Sequence, residues 1–343
     1  MSLISVNRNF GLDAVRAFSI LLVVYNHMYR TGAFQAGLLG VEIFFVLSGF
    51  LIGNILYRSF ALKNHLTGQD LLNFYKRRWW RTLPLYYLII AVKFIYNHAV
   101  GLKIFHFIFF IQNYYDDKFF AVSWSLAIEE WFYLLVPFLL FLFYKFSKNN
   151  QNVIGWLSLF IFVTIILKFI FPQPFHTIRL NVPLRMDSLC IGVLLAFIKN
   201  LKPTLYDILK KPIWVLMSFV MCAFLMYCTL GFTSRAGLLN DFSIIRALWF
   251  PILSFTIALA FPFIESNTFI NVFLAGGKWI LIPVTWISLL TYSIYLIHPL
   301  VLTFKSFWSG LIISNGISLT IILIVSYLLY RFYERPMTQL RDK

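Results

Sequence analysis

The sequence predicts an all-α protein, a bundle of transmembrane helices that crosses the bilayer many times. Two features of the composition indicate this: 60% of the 343 residues are hydrophobic, and only 12% are charged. A soluble domain has about 25% charged residues, and a globule of this size has too little interior to bury so much apolar surface. The third observation is that apolar runs of about 20 residues, the length that a spanning helix needs, recur along the whole chain.

About ten such runs are predicted to be spans, and they lie near residues 11–30, 39–60, 79–97, 119–144, 153–171, 184–200, 212–231, 244–264, 281–308 and 310–333. The run 102–115 is too short to cross and is predicted to be re-entrant or interfacial. With this count, most Lys and Arg residues fall on one side, which the positive-inside rule makes the cytoplasmic side and which holds both termini. We expect a single membrane-embedded domain over residues 1–343, without a soluble accessory domain.

The net charge of +16 is explained in the same way. Basic residues accumulate in cytoplasmic loops, so the charge indicates contact with the lipid bilayer rather than with nucleic acid. A polyanionic cosubstrate would be a second reason for the excess. The three cysteines lie in apolar runs without the spacing of metal ligands, so no metal site is predicted.

Ionisable residues inside a span are costly unless they are paired or hydrated, so each is a candidate for function. In the first span, Arg16 and His27 are eleven residues apart, which puts both on one helix face about 16 Å apart. Asp13 lies one turn before Arg16 and can pair with it. Glu42, in the second span, has the predicted depth of His27. We therefore expect its carboxylate to orient the imidazole and raise its basicity.

The segment 76–81, before the third span, contains Arg78 and Arg81 beside two tryptophans. It is either a topology anchor at the membrane interface or a patch that binds phosphate, and the residues alone leave both readings open. In the fourth span, the adjacent Glu129 and Glu130 are hard to explain by packing. Ser125 shares a helix face with Glu129 because the two are four residues apart.

Two later spans carry further candidates. Arg185 lies near the outer end of the sixth span, where it can pair with other charges. Tyr295 and His298 lie in the ninth span, and Pro299 frees a backbone carbonyl beside the histidine. His298 is therefore either a residue that lines a polar cavity or a hydrogen-bonded histidine of the core.

Together these motifs resemble the acyltransferase-3 family of membrane proteins. Arg16 and His27 match its Arg-x10-His signature, and residues 40–50 match its Gly-Val-(Asp/Glu)-x-Phe-Phe-Val-x-Ser-Gly-Phe pattern. Arg78 and Arg81 are similar to its Arg-x-x-Arg element, and residues 123–133 to its Ser-Trp-Ser-Leu-x-x-Glu-Glu-x-Phe-Tyr block. Residues 185–192 and 292–299 match weaker patterns of the family. The motifs appear in the family's order over nearly the whole chain, which makes the resemblance specific.

The resemblance implies transfer of an acyl group, most simply acetyl, from acyl-coenzyme A to a hydroxyl of a cell-envelope or exported carbohydrate. Acyl-coenzyme A is then a cosubstrate, and no cofactor is bound permanently. Some members add a soluble domain after the last span. This chain ends at Lys343, so we expect the stand-alone form, direct transfer to the acceptor, and a place in the inner membrane of a bacterium.

With the resemblance, the candidate residues receive expected roles. His27 is expected to be the general base, with Glu42 and Glu129 as its catalytic partners. The phosphates of coenzyme A are expected to bind Arg16, Arg78 and Arg81. The residues expected to line the cavity or bind the acceptor are Asp13, Ser125, Glu130, Arg185, Tyr295 and His298.

The same helices are also compatible with a transporter or flippase that performs no chemistry. Intramembrane Arg, His and Glu residues serve proton-coupled transport as well, although the sequence shows no inverted repeat. A non-catalytic subunit of an envelope complex is a third reading. The oligomeric state, a homo-oligomer included, is left open by the sequence.

Overall fold

The computed structural model describes residues 8–29, 36–63, 65–96, 98–115, 119–147, 152–234, 243–266, 277–304 and 311–340. These residues form helices joined by turns and short connections, and no strand occurs among them. The predicted all-α class is therefore confirmed for this part of the chain.

The α-helices in chain order are α1 (Phe10–Tyr29), α2 (Ala36–Leu56), α3 (Gly68–Tyr96), α4 (Ile104–Ile108), α5 (Trp124–Ser147), α6 (Asn152–Ile170), α7 (Phe175–Leu180), α8 (Val182–Leu201), α9 (Pro203–Ile208), α10 (Pro212–Ser234), α11 (Ser243–Glu265), α12 (Lys278–Thr303), α13 (Leu311–Leu329) and α14 (Arg335–Leu340). Helices α2 and α13 continue into π-helical turns at Tyr57–Ala61 and Tyr330–Glu334. Short 3₁₀ turns occupy His98–Lys103, Gln112–Tyr114 and Ala121–Ser123.

Every predicted span falls on one of these helices. Within the described ranges, six helical stretches are long and apolar enough to cross a membrane: Ala36–Ala61, Ala121–Ser147, Asn152–Ile170, Ile244–Glu265, Trp279–Thr303 and Ile313–Leu340. The chain is thus an integral membrane protein with several spans, whereas the count of ten and the orientation stay predictions. The predicted span ends at residues 30, 97, 305–308 and 310 lie outside the described residues.

The start of α3 differs from the predicted span, and the run 102–115 forms even shorter helical pieces than its length suggested. Helix α3 begins at Gly68, before the predicted start at residue 79, because its first turns are polar and basic and carry no apolar signal. In the run 102–115, α4 has only five residues and is flanked by 3₁₀ turns. At 1.5 Å per residue, no piece of this length crosses a bilayer.

Helix α2 lies at the centre of the bundle and packs against α1, α5, α8 and α11. Its contact with α8 depends on glycines, since a Cβ at Gly49 would lie 1.9 Å from the carbonyl oxygen of Leu189. A Cβ at Gly192 would lie 2.2 Å from the carbonyl oxygen of Val46. Small residues let transmembrane backbones approach this closely, so the pairing of α2 with α8 is fixed by residues that have no side chain.

The bundle has two ends, which we call the first face and the second face. The first face holds Asn9, Asp13, Lys199, Glu265 and Ser288: the Asn9 amide donates to the Glu265 carbonyl at 2.9 Å, Lys199 Nζ lies 2.6 Å from Glu265 Oε1, and Ser288 Oγ donates to Asp13 at 2.7 Å.

The second face holds the rings of His27 and His298, whose centroids are 4.9 Å apart. It also holds the side chain of Asn113, which donates to the Leu180 carbonyl at 2.8 Å. Helices α1 and α12 both begin at the first face and end at the second, so they run parallel and connect the two ends of the bundle.

Candidate active site

A cavity of about 460 Å³ lies in the first-face half of the bundle, between α1, α2, α3, α5 and α12. Its walls carry the carboxylates of Asp70, Glu129 and Glu334 and a larger number of basic side chains, so the lining is net positive. The structure brings all three predicted phosphate-binding arginines to this cavity, and the basic residues of its wall are Arg16, Lys63, Arg77, Arg78 and Arg81.

Arg78 and Glu129 neutralise each other at the cavity wall. Arg78 Nη2 donates to Glu129 Oε1 at 2.9 Å, and the same oxygen accepts from Ser48 Oγ at 2.9 Å and from the Tyr133 hydroxyl. The Arg78 guanidinium also lies 3.9 Å above the centre of the Tyr133 ring, a cation–π contact. The charge of Arg78 is therefore largely neutralised within the protein, although its Nε makes no hydrogen bond to the described residues.

Arg16 and Arg81 retain more of their charge for a ligand. Arg16 Nη1 lies 3.5 Å from Asp13 Oδ1, which confirms the predicted pair, but Asp13 also accepts from Arg8 Nη2 at 2.6 Å. Arg81 lines the cavity and makes no hydrogen bond or ion pair with any residue in the described part of the chain. The Glu334 carboxylate is within its electrostatic range, but it accepts a hydrogen bond from Ser293. Arg16 therefore shares the Asp13 carboxylate with Arg8, and Arg81 has no bound carboxylate. A cavity with two such guanidinium groups is suited to an anionic ligand.

At the second face, His27 and His298 meet edge to face. His27 Nδ1 lies 2.8 Å from the Val23 carbonyl oxygen, and His298 Nδ1 lies 3.2 Å from the Ile294 carbonyl oxygen. A carbonyl accepts only, so each Nδ1 carries the proton and each Nε2 keeps a lone pair in the neutral ring. His27 is exposed at this face, whereas His298 Nε2 is buried and has no hydrogen-bond partner among the residues that the structure describes.

Tyr295 joins the histidine pair to α5. Its hydroxyl donates to the Val122 carbonyl at 2.5 Å and lies 2.6 Å from Ser125 Oγ, which therefore donates to it. The Tyr295 ring centroid is 5.8 Å from that of His298. The structure thus brings Ser125, Tyr295, His298 and His27 together, while Glu129 lies one helical turn from Ser125 on the cavity side.

The predicted contact between Glu42 and His27 is wrong. Glu42 is fully buried and accepts hydrogen bonds from Arg185, from Ser188 Oγ at 3.2 Å and from Ser254 Oγ at 3.2 Å. The depth of the carboxylate differs from the prediction, because Gly37 is the residue that packs against Asn26, and Glu42 lies five residues further along α2, roughly 7 Å toward the first face. Its direction around the helix was not predicted either. A Cβ at Gly40 would lie 2.6 Å from the Ser19 carbonyl of α1. Glu42 is turned about 200° from Gly40 around α2, so it faces α8.

Arg185 is predicted to pair with another charge, and it does so with Glu42 in a buried ion network. Arg185 Nη1 also lies 3.7 Å from Asp187 Oδ1, and Asp187 accepts from Lys168 on α6. All four charged side chains have no exposed surface, and their formal charges sum to zero. Glu130, by contrast, lies beside Thr82 and within electrostatic range of Arg78, and it lines neither the cavity nor the histidine pair.

Sequence reasoning missed several polar residues of the site. Ser48 was not among the candidate residues, yet it donates to Glu129. Tyr133 carried a usable signal, since it follows Glu129 by four residues and so shares its helix face. Ser288 and Glu334 come from distant parts of the chain, and no local pattern connects them with Arg16 or Arg81. Among the described residues, no group of three or more His, Cys, Asp or Glu side chains is placed to hold a metal ion.

The fold and the site define a class of protein, a polytopic helical membrane protein with a cation-lined cavity at one end and a histidine pair at the other. The family model described as an acyltransferase domain, Acyl_transf_3, matches residues 9–331. The chain therefore belongs to this acyltransferase family, and the resemblance seen in the motifs is confirmed.

Two relatives illustrate the similarity. The O-acetyltransferase OatA of Staphylococcus aureus is 29% identical over 363 residues, which cover 95% of this chain and 57% of OatA. The peptidoglycan O-acetyltransferase OatA of Listeria monocytogenes is 37% identical over 163 residues, which cover 41% of this chain and 25% of that protein. The chain spans little more than half the length of the Staphylococcus relative, and no solved structure matches it.

Proposed function

We propose that the protein is a membrane O-acyltransferase that moves an acyl group, most simply acetyl, from acyl-coenzyme A to a hydroxyl of a carbohydrate. One observation carries the proposal. The parallel helices α1 and α12 connect a cation-lined cavity at the first face with a histidine pair at the second. A long donor with an anionic end and a reactive end fits such an arrangement.

The cavity supports coenzyme A as the donor. Arg16 and Arg81 would hold its phosphates, because planar guanidinium groups bind phosphate oxygens in pairs. Arg78 would contribute less than the sequence suggested, since Glu129 already neutralises it. The rise from Arg16 to His27 is about 16 Å along α1, which is comparable to the pantetheine arm. The thioester would then arrive beside His27.

His27 would act as the general base. Its Nδ1 proton is bound by the Val23 carbonyl, so a backbone oxygen takes the orienting role that was expected of Glu42. Nε2 would remove the proton of the acceptor hydroxyl as the oxygen attacks the thioester carbonyl. The carbon–sulfur bond breaks, and the departing coenzyme A thiolate accepts the proton from Nε2 of His27. Direct transfer and an acyl-histidine intermediate both fit this arrangement.

The acceptor is proposed to be a carbohydrate of the cell envelope. The names of the relatives support this, since one of them is a peptidoglycan O-acetyltransferase. We further propose that the chain lies in the cytoplasmic membrane of a bacterium, with ten crossings and both termini inside. The first face would then be cytoplasmic, which suits a donor made in the cytoplasm.

The test is release of acetyl from labelled acetyl-coenzyme A by purified protein, with wild type compared with His27→Ala. We expect a loss of about 10²–10⁴-fold, the usual contribution of a general base. His65→Ala is the matched control, because His65 is exposed in the loop before α3. Equal turnover by wild type and His27→Ala would contradict the role of His27. Absence of both turnover and coenzyme A binding in wild type would favour the transporter reading.

A further inference from the structure

A group of unpaired polar atoms lies at the second face, next to the histidine pair. Of the twelve buried side-chain atoms that lack a hydrogen-bond partner in the described part of the chain, four lie there: Gln112 Oε1, Asn113 Oδ1, Arg179 Nε and His298 Nε2. More than about 90% of buried polar groups in proteins are paired, and each unpaired one destabilises the folded protein. Such a group therefore requires an explanation.

The two amide side chains are held with their oxygens unused. Gln112 Nε2 donates to the Ser123 carbonyl at 3.1 Å. Asn113 Nδ2 donates to the carbonyls of Trp124 at 2.9 Å and of Leu180 at 2.8 Å. Both amide nitrogens are thus fixed by backbone at the start of α5, which leaves both oxygens as acceptors at the same place.

Arg179 supplies positive charge without a counter-ion. Its guanidinium lies 4.7 Å from the centre of the Trp124 ring, and it makes no hydrogen bond or ion pair with any residue that the structure describes. Glu42 is within its electrostatic range, but that carboxylate is bound by Arg185. A half-buried guanidinium without a bound counter-ion is suited to bind an anion.

We propose that this cluster is the acceptor subsite, and that Arg179 binds a carboxylate or other anionic group of the carbohydrate. The inference rests on the proposed acyltransferase function. Mixed donors and acceptors fit a ligand that is rich in hydroxyl and amide groups. Trp124 and Ser125 are adjacent, and Ser125 contacts Tyr295, so a sugar anchored at Arg179 has its neighbouring hydroxyls directed toward the histidine pair.

The same anion chemistry is present in a lipid headgroup, so the experiment must separate the two sources. The full chain is purified in a nonionic detergent free of phospholipid, and equilibrium binding is measured. The probe is a tetrasaccharide of alternating N-acetylglucosamine and N-acetylmuramic acid, whose lactyl groups carry carboxylates. Its methyl ester is the same molecule without the negative charge.

We expect wild type to bind the carboxylate form at least about tenfold more tightly than the ester, as one charge-assisted hydrogen-bonded contact predicts. Arg179→Gln should abolish that difference and leave binding of the ester unchanged, and Arg179→Lys should keep part of it. Arg58→Gln, which removes an exposed charge at the first face, is the matched control and should keep all of it.

Equal binding of the two sugars by wild type, or a full preference in Arg179→Gln, overturns the proposal. A preference for phosphatidylglycerol over phosphatidylcholine that Arg179→Gln abolishes, without a preference between the sugars, assigns the arginine to lipid and overturns it as well. Binding does not depend on turnover. Failure of acetyl release therefore refutes the transferase, while failure of the sugar preference refutes only the acceptor subsite.

Discussion

The charge of Glu42 is held inside the bundle by one arginine and two serines, and this predicts a structural cost for removing it. Glu42→Ala leaves Arg185 buried with less counter-charge, which should lower the free energy of unfolding by about 3–5 kcal/mol. The exposed pair of Lys210 and Asp207 is the control, and Asp207→Ala should cost about 1 kcal/mol or less. Denaturation of both variants in detergent measures the difference, and equal losses would contradict a structural role for the buried pair.

Substitution of Arg81 is predicted to weaken binding of the acyl donor rather than to slow the transfer step. Arg81→Gln removes an unpaired cation from the cavity wall, and a hydrogen bond to a charged group contributes about 1.5–3 kcal/mol. The KM for acetyl-coenzyme A should therefore rise by about tenfold or more, with a much smaller change in kcat. Steady-state kinetics check this, with Arg58→Gln as the control. A fall in kcat at unchanged KM would instead place Arg81 near the reacting atoms.

At this scale the sequence marks candidate residues, but it predicts few of the contacts that they make with one another. The pair of Asp13 with Arg16 was predictable because both lie on one helix, one turn apart. The partner of Glu42 was not, because Arg185 is on a different helix and the rotation of α2 about its axis is set by packing. The meeting of His27 with His298 depends on the parallel course of α1 and α12, which no local spacing reveals.

Among the elements, the contact of α2 with α8 should be the most sensitive to added volume. Gly49→Ala places a methyl group against the backbone of Leu189, which cannot move without shifting the helix, so a loss of about 1–3 kcal/mol is expected. Gly155→Ala on α6 is the control, because nothing lies within 4 Å of its added Cβ. Thermal unfolding in detergent compares the two variants. Equal melting temperatures would mean that α2 and α8 can move apart to make room for the methyl group without loss of stability.

The existence of the long helices was predictable from apolar runs, since lipid leaves a spanning segment few alternatives to a helix. What the runs did not predict were the polar parts of the same elements. The first turns of α3 carry basic residues, so they gave no apolar signal although they form the cavity wall. Short pieces such as α4 and α7 are too brief for a periodic pattern, yet α7 carries Arg179.

For the whole molecule, the proposed orientation predicts which residues are reached from outside the cell. Gln69 is exposed near the first face and His176 near the second. In a variant without native cysteines, His176→Cys should react with a membrane-impermeant maleimide in intact cells. Gln69→Cys should react only after the membrane is permeabilised. The opposite pattern would invert the bundle, and labelling of both from outside would contradict the span count.

The buried ion network also has a consequence for the synthesis of the chain. Glu42 and Arg185 are separated by 143 residues, and at about 5–20 residues per second the ribosome needs roughly 7–30 s to make that interval. During this time α2 is in the membrane without its arginine, so Glu42 is either protonated or shielded from lipid by other helices or by the insertion machinery. Insertion of helix α8 then brings both Arg185 and Ser188 to Glu42, and the carboxylate gains its counter-charge only at this step.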